Sequence, residues 1–236
     1  MWAFKKEIFK TENIILSNCS FVVTAEETCP GCILGAEVTI GTQTWTKCNL
    51  NVSTYSDGVT PIPEVKDYVD WKTRTTGAWC HYNNDPRNEA VYGKLYNWYA
   101  VAGIYNEASR LNAGLRKSIA PIGYHVPSDA EWTTLTNSLG GLTVAGGKMK
   151  ETKVIGDCYW LFPNTVLTPN SGFAAIGAGN RTLGLVAEYA NMGERALFWT
   201  STENWWRVLQ NNSTIVERKN IGSVNNLGLS VRLIKN

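Results

Sequence analysis

Histidine is almost missing from this chain: His81 and His125 are the only two in 236 residues. A zinc centre built on Cys29-Pro-Gly-Cys32 would need a second cysteine pair or neighbouring histidines. Neither is there, so that spacing reads as a turn with structural or free thiols ahead of metal or redox chemistry. The other cysteines are Cys19, Cys48, Cys80 and Cys158, and none follows Cys158. Basic clusters are also lacking. The 22 lysines and arginines nearly balance 20 acidic residues, for a net charge of +2. That is not the concentrated positive charge that holds a phosphate backbone, and no nucleic-acid partner is expected. No apolar run approaches the ~20 residues needed to cross a bilayer, so the chain reads as soluble, without membrane insertion. An export signal is not visible either: Lys5 and Lys6 precede Glu7, Glu12 and Asn13, and Ser17, Asn18, Cys19 and Ser20 interrupt the stretch from Ile14 to Val23.

Catalytic patterns are missing as well. There is no Gly-x-Ser-x-Gly elbow, and neither histidine sits with a carboxylate around a nucleophile. Asp67/Asp70 and Glu188/Glu194 have ordinary surface spacing. Ala145-Gly-Gly-Lys-Met-Lys-Glu151 looks like a phosphate loop but fails as one. Gly141 to Lys148 is one residue too long, and Met149 stands where Ser or Thr would hold magnesium. His125, beside Val126-Pro127 at a helix entry, reads as a structural histidine rather than a base, and His81 similarly. The expectation is a protein with no catalytic residue, no metal and no cofactor.

What the chain does have is apolar mass, 44% hydrophobic with ten tryptophans, enough for a substantial core. The clearest local signal is Ser128-Asp-Ala-Glu131. Ser128 and Glu131 form a capping box, Pro127 sharpens the boundary, and Gly140-Gly141 supplies the stop. Trp132, Leu135 and Leu139 share one face, which predicts an amphipathic helix over 128–139. A second helix is predicted over 93–102 from Leu95, Trp98 and Tyr99 at helical spacing, with Gly93 against it. Val38, Ile40 and Trp45 alternate around a turn at Gly41 and predict two short strands. Further strands are predicted at 197–201, 205–209, 214–218 and 228–234. The Pro- and Gly-bearing stretches 51–76 and 156–196 read as loop. Helices in the middle with strands at both ends make an α+β chain whose terminal strands pair. Residues 1–32 stand apart as an extended arm, with Trp2, Phe4, Ile8, Phe9, Phe21 and others lacking a helical period. Such an arm must be covered by its own domain or a neighbouring chain, and the reading favours a neighbour.

Four stretches resemble the Fibrobacter succinogenes major paralogous domain family. They are Ile40-Gly-Thr-Gln-Thr-Trp45 with Asn49-Leu50-Asn51; Tyr92-Gly-Lys-Leu-Tyr-Asn-Trp-Tyr-Ala100; Gly123-Tyr-His-Val-Pro-Ser-Asp-Ala-Glu-Trp132 with Ala145–Glu151; and Phe198-Trp-Thr-Ser-Thr-Glu203 with Leu229-Ser-Val-Arg232. The likeness spans about 33–236 and leaves out the arm. It implies a C-type-lectin-like fold, related to the formylglycine-generating-enzyme group, with two main helices, small antiparallel sheets and much loop. Such domains occur on bacterial surface proteins and phage virion proteins, and related ones bind receptors through a face near the C-terminus. Here that window is Asn204 to Leu227. Its candidate ligand-binding residues are Asn204, Trp205, Trp206, Arg207, Asn211, Asn212, Arg218, Asn225 and Asn226, a mix of rigid aromatic area and adaptable hydrogen-bonding groups. The competing reading is a polar hairpin surface with one tryptophan in the core.

Two departures qualify the likeness. Only Asn204 separates Glu203 from Trp205, which speaks against a deep pocket. No Glu-Pro-Asn or Gln-Pro-Asp occurs, so calcium-mediated sugar binding is not expected. The enzymatic relatives use C-terminal cysteines that this chain lacks. An outward-facing family without a visible export signal suggests a phage virion protein, a head or tail fibre or a decoration protein. Residues 1–32 would join sister chains, a trimer for a fibre, and other virion proteins. Residues 33–236 would meet a host-surface glycan or protein at the virion surface. The alternative is a bacterial adhesin-like module, secreted or held on the cell surface.

Overall fold

The computed structural model describes residues 36–152, 159–184, 188–220, 222 and 224–236. The arm expected at 1–32, with Cys29 and Cys32, lies outside the described residues. The first half runs β1 (Glu37–Ile40), β2 (Gln43–Thr46), α1 (Tyr68–Thr73), β3 (Trp79–Cys80), α2 (Glu89–Tyr92), β4 (Leu95–Tyr96), α3 (Trp98–Val101) and α4 (Glu107–Leu111). The second half runs β5 (Tyr124–His125), α5 (Asp129–Ser138), α6 (Leu142–Met149), β6 (Ala178–Arg181), β7 (Tyr189–Met192), β8 (Arg195–Trp199), β9 (Trp205–Gln210), β10 (Val216–Asn220) and β11 (Ile234–Lys235). Short helices, small sheets and long connections make it α+β. Among the described residues no helix is long and apolar enough to cross a membrane.

Helix α5 forms where the local chemistry requires it. Ser128 Oγ accepts from the Glu131 amide and Glu131 Oε2 accepts from the Ser128 amide, at 3.2 and 2.7 Å. Trp132 and Leu135 are fully buried, and the Trp132 ring lies 4.9 Å from Trp45 and 5.4 Å from Phe198. Removing the cap in Ser128→Ala should cost about 1 kcal/mol, read as a lower urea midpoint; an unchanged midpoint would mean the box contributes nothing.

The expected helix over 93–102 is not there. Gly93 has φ +70° and ends α2, Leu95–Tyr96 is strand, and the Asn97 side chain caps α3 by accepting from the Ala100 amide. A glycine in the left-handed region followed by an N-cap outweighs three apolar residues at helical spacing. The second long helix is instead α6, in the stretch that fails as a phosphate loop. Its glycines serve packing: a Cβ on Gly146 would lie 2.5 Å from the Ile215 carbonyl oxygen, so only glycine lets α6 approach the turn before β10. Two stretches read as loop also hold structure. Asp67 caps α1 by accepting from the Asp70 amide at 2.8 Å, and β6, β7 and the start of β8 lie within 156–196.

Strands β1, β2, β11 and β5 form one sheet in that order, and β10, β9, β8, β6 and β7 form another; β3 pairs with β4. The terminal strands meet as expected, with Ile234 opposite both Trp45 and His125. The predicted strands shift by a few residues: β8 begins at Arg195, β10 spans Val216–Asn220, and the last one shrinks to Ile234–Lys235 after single bridges at Gly228, Leu229 and Ser230. Strands β8 and β9 of the larger sheet are buried on both faces. Leu197, Trp199, Trp206 and Val208 belong to one apolar cluster, with Tyr96, Trp98 and Val231. Ala196, Phe198 and Leu209 belong to another, with Trp45, Trp132 and Phe173. The period of two sends alternate residues to opposite cores.

Candidate ligand-binding face

The window from Asn204 to Leu227 is built on the β9–β10 hairpin, at one edge of the larger sheet. In its register Trp205 faces Asn220, Trp206 faces Lys219 and Arg207 faces Arg218. The turn is fixed from beneath by Lys150, which is fully buried and donates from Nζ to the carbonyls of Gln210, Asn211 and Ser213 at 2.8, 3.0 and 2.9 Å. Burial pulls the Lys150 pKa down to about 8.

The candidate residues separate into groups. Trp206 and Arg207 are buried, 5% and 0% exposed. Trp206 packs edge-on against Trp199 at 6.0 Å, and Arg207 Nη1 pairs with Asp129 Oδ1 at 2.7 Å. Neither presents a surface to a ligand. Asn226 is tied inward, donating to the carbonyls of Trp71 and Arg74 at 2.8 and 2.7 Å. Asn211 donates to the Leu161 carbonyl at 3.1 Å, and Asn212 is exposed at the turn. Those two lie about 20 Å along the strand from Trp205, too far to share a small ligand with it.

At the open end of the hairpin Trp205 and Arg218 come together, and Asn225 reaches Glu203, next in the chain to Asn204. The Arg218 guanidinium lies 3.9 Å from the Trp205 ring centroid, and Asp129 holds it by Nη2 to Oδ2 at 2.6 Å. Burial tends to raise the Asp129 pKa, but the hydrogen bonds from Arg218 and Arg207 outweigh it and keep the carboxyl below its ordinary range. Asn225 Nδ2 donates to Glu203 Oε1 at 3.1 Å. Asn204 has φ +65°, a conformation asparagine tolerates. The side-chain oxygens of Asn204 and Asn225 are buried and have no hydrogen-bond partner among the described residues, so they face away from the open side of the hairpin. The result is a shallow, polar ledge with one aromatic face held flat by a guanidinium.

Sequence reading missed Asp129, which organises this ledge. A carboxylate in the first turn of a helix is ordinary, and nothing in the sequence marks Arg207, 78 residues on, as its partner. The two histidines take polar partners. His125 Nε2 lies 2.7 Å from Glu131 Oε1 and its Nδ1 2.7 Å from Asn236 Oδ1. His81 is buried with Nε2 at 2.6 Å from Glu89 and Nδ1 at 3.4 Å from Glu64. Among the described residues no group of three or more His, Cys, Asp or Glu side chains could hold a metal ion. Cys48 is disulfide-bonded. Cys80 is a buried free thiol whose pKa burial pushes up to about 11.

The sequence model of the Fibrobacter succinogenes major domain matches residues 38–235. The chain belongs to the Fibrobacter succinogenes major domain family. The match runs from β1 to β11 and takes in all three sheets, α5 and the hairpin. No curated protein and no solved structure matches the chain. Within this Fibrobacter succinogenes major domain, the expected motif stretches fall at structural junctions. Tyr92–Ala100 makes the turn from α2 through β4 to α3, and Gly123–Trp132 carries β5 into α5.

Proposed function

We propose that this chain is a non-enzymatic structural protein of a phage virion, a head or tail fibre or decoration protein. It would display a C-type-lectin-like domain that binds a glycan or protein on the host surface. The observation that carries the reading is the stack of exposed Arg218 on half-buried Trp205 at the open end of the hairpin. Rigid aromatic area with an adjacent arginine is what a recognition face uses, and an exposed strand edge rich in charge resists unwanted sheet pairing. Residues 1–32 would attach the domain to sister chains, a trimer in a fibre, and to the particle.

A second reading, a secreted or surface-anchored bacterial adhesin, is favoured by the disulfide at Cys48. Disulfides persist in oxidising compartments and are uncommon in the cytoplasm where a virion assembles.

Both readings use the same face and share a test. Trp205→Ala and Arg218→Ala should each weaken binding to host cells by roughly 30-fold, or about 2 kcal/mol. The melting temperature of Arg218→Ala should barely move, since Arg218 is exposed, and that of Trp205→Ala should fall modestly, since Trp205 is half-buried. Undiminished cell binding by a folded double variant would sink the assignment of this face. Virion incorporation of the full chain, against retention on the producing cell, separates the two readings.

A further inference from the structure

Outside the hairpin, Lys94, Asn51 and Glu89 meet in an arrangement with its own chemistry. The backbone at Gly93 lies against the segment 49–51: a Cβ there would sit 2.9 Å from the Leu50 carbonyl oxygen, and the Lys94 amide donates to that oxygen at 3.3 Å. This brings the Lys94 side chain, 6% exposed, over the Trp79 ring at 4.6 Å. Its Nζ lies 2.5 Å from Asn51 Oδ1 and 2.9 Å from Glu89 Oε1. The same Oε1 accepts from Asn51 Nδ2 at 3.1 Å. The other Glu89 oxygen is held by His81 at 2.6 Å. An ordinary N–H···O contact is longer than the one between Lys94 and Asn51. An amine, the oxygen of a primary amide and a carboxylate touching both nitrogens are thus fixed together.

We infer that Lys94 and Asn51 become joined by an autocatalytic isopeptide bond, with Glu89 as the proton carrier. The Lys94 ammonium gives one proton to Glu89 Oε1, and the freed Nζ lone pair attacks Asn51 Cγ. The C–N bond forms as the carbonyl π pair moves onto Oδ1. Glu89 returns its proton to Nδ2 and takes a second one from Nζ. The Oδ1 pair then re-forms the carbonyl, the Cγ–Nδ2 bond breaks, and ammonia departs with the proton held by Glu89. In sum, an ammonium and a primary amide give a secondary amide and one ammonium ion, with no change of oxidation state.

The site supports each step. A single oxygen contacts both the nucleophile and the leaving nitrogen, so one group serves as base and acid. Holding the reacting groups in contact removes the entropic cost of bringing an amine to an amide, one part of the barrier that keeps the two inert in water. Burial alone would raise the Glu89 pKa, but the hydrogen bonds from His81, Lys94 and Asn51 hold it down to about 2, so Glu89 carries the proton only in passing, between groups already in contact. A small cleft lined by Asn49, Asn51, Glu89 and Val91 gives ammonia a way out. The inference does not depend on the ligand-binding reading.

Intact mass of the reduced, denatured full chain decides it. The expected result is a mass lower than the sequence mass by one ammonia, with a branched peptide joining the Asn51 and Lys94 segments after proteolysis. Lys94→Arg keeps the cation but cannot transfer its nitrogen, and Glu89→Ala removes the proton carrier; both should show the full sequence mass. The branched peptide is read on the unmodified chain, so it decides whether or not the variants fold. A wild-type chain at full sequence mass overturns the inference, as does an ammonia loss that persists in Lys94→Arg, which would mark a succinimide at a lone asparagine.

Discussion

Arg232→Met should destabilise the domain by on the order of 5 kcal/mol or more, about the whole stability of many domains. Arg232 is fully buried. Its Nε donates to Asn49 Oδ1 at 2.8 Å, Nη1 to the carbonyls of Thr46 and Phe173 at 2.9 Å each, and Nη2 to the Ala174 carbonyl at 2.9 Å. The guanidinium also lies 4.8 Å from the Phe173 ring centroid. One side chain therefore binds the end of β2, the segment before β6 and the run into β11. Methionine fills much of the volume but leaves those carbonyls dry and unpaired, at about 1–3 kcal/mol each. Urea unfolding followed by tryptophan fluorescence measures the loss. A decrease below ~2 kcal/mol would show that water or neighbouring amides replace the guanidinium.

Asp129→Ala should cost about 3–5 kcal/mol, because it strands the Arg207 charge in the interior. Arg207 has no exposure, and Asp129 is its carboxylate partner at 2.7 Å. The diagnostic is the double variant. If the penalty is the stranded charge, Asp129→Ala with Arg207→Met should recover much of the stability that Asp129→Ala alone loses. If both lose equally, the carboxylate acts through Arg218 or the helix start instead. The same pair makes a pH prediction. Asp129 is held below its ordinary 3.8 in the fold, so its contribution is complete above that value and is lost as the pH falls through the lower folded pKa. The wild-type chain should therefore lose stability in that acid range more steeply than Asp129→Ala. Parallel profiles would rule the linkage out.

These two arginines also show where sequence reading stops. Helix α5 was legible because every cause of it is local: Ser128, Glu131 and an apolar stripe within three turns. The β9–β10 hairpin was legible for a similar reason, since its strands are close in sequence. Arg207 was not. An arginine between tryptophan and valine on a strand reads as recognition surface when one face of the sheet is taken as solvated; here both faces are covered, and the partner carboxylate is far along the chain. The strands within 156–196 were hidden by composition. Ala178-Gly-Asn-Arg181 is buried throughout, with an asparagine and an arginine inside, so it shows neither alternation nor an apolar run. Trp205 and Arg218 were both named from sequence, but their stacking depends on the register that sets Arg218 beside Arg207.

The small sheet has a mechanical consequence. Lys235 Nζ reaches Glu37 Oε2 at 3.0 Å, so the matched region begins and ends within one side chain's length of itself. A module whose two ends exit together can be spliced into a surface loop of another protein without prying that loop open. Strung in tandem, each copy would hang to one side of the string as a bead. Tension along such a string would act on β1, an edge strand, and on β11, held between β2 and β5, while the hairpin face belongs to the other sheet.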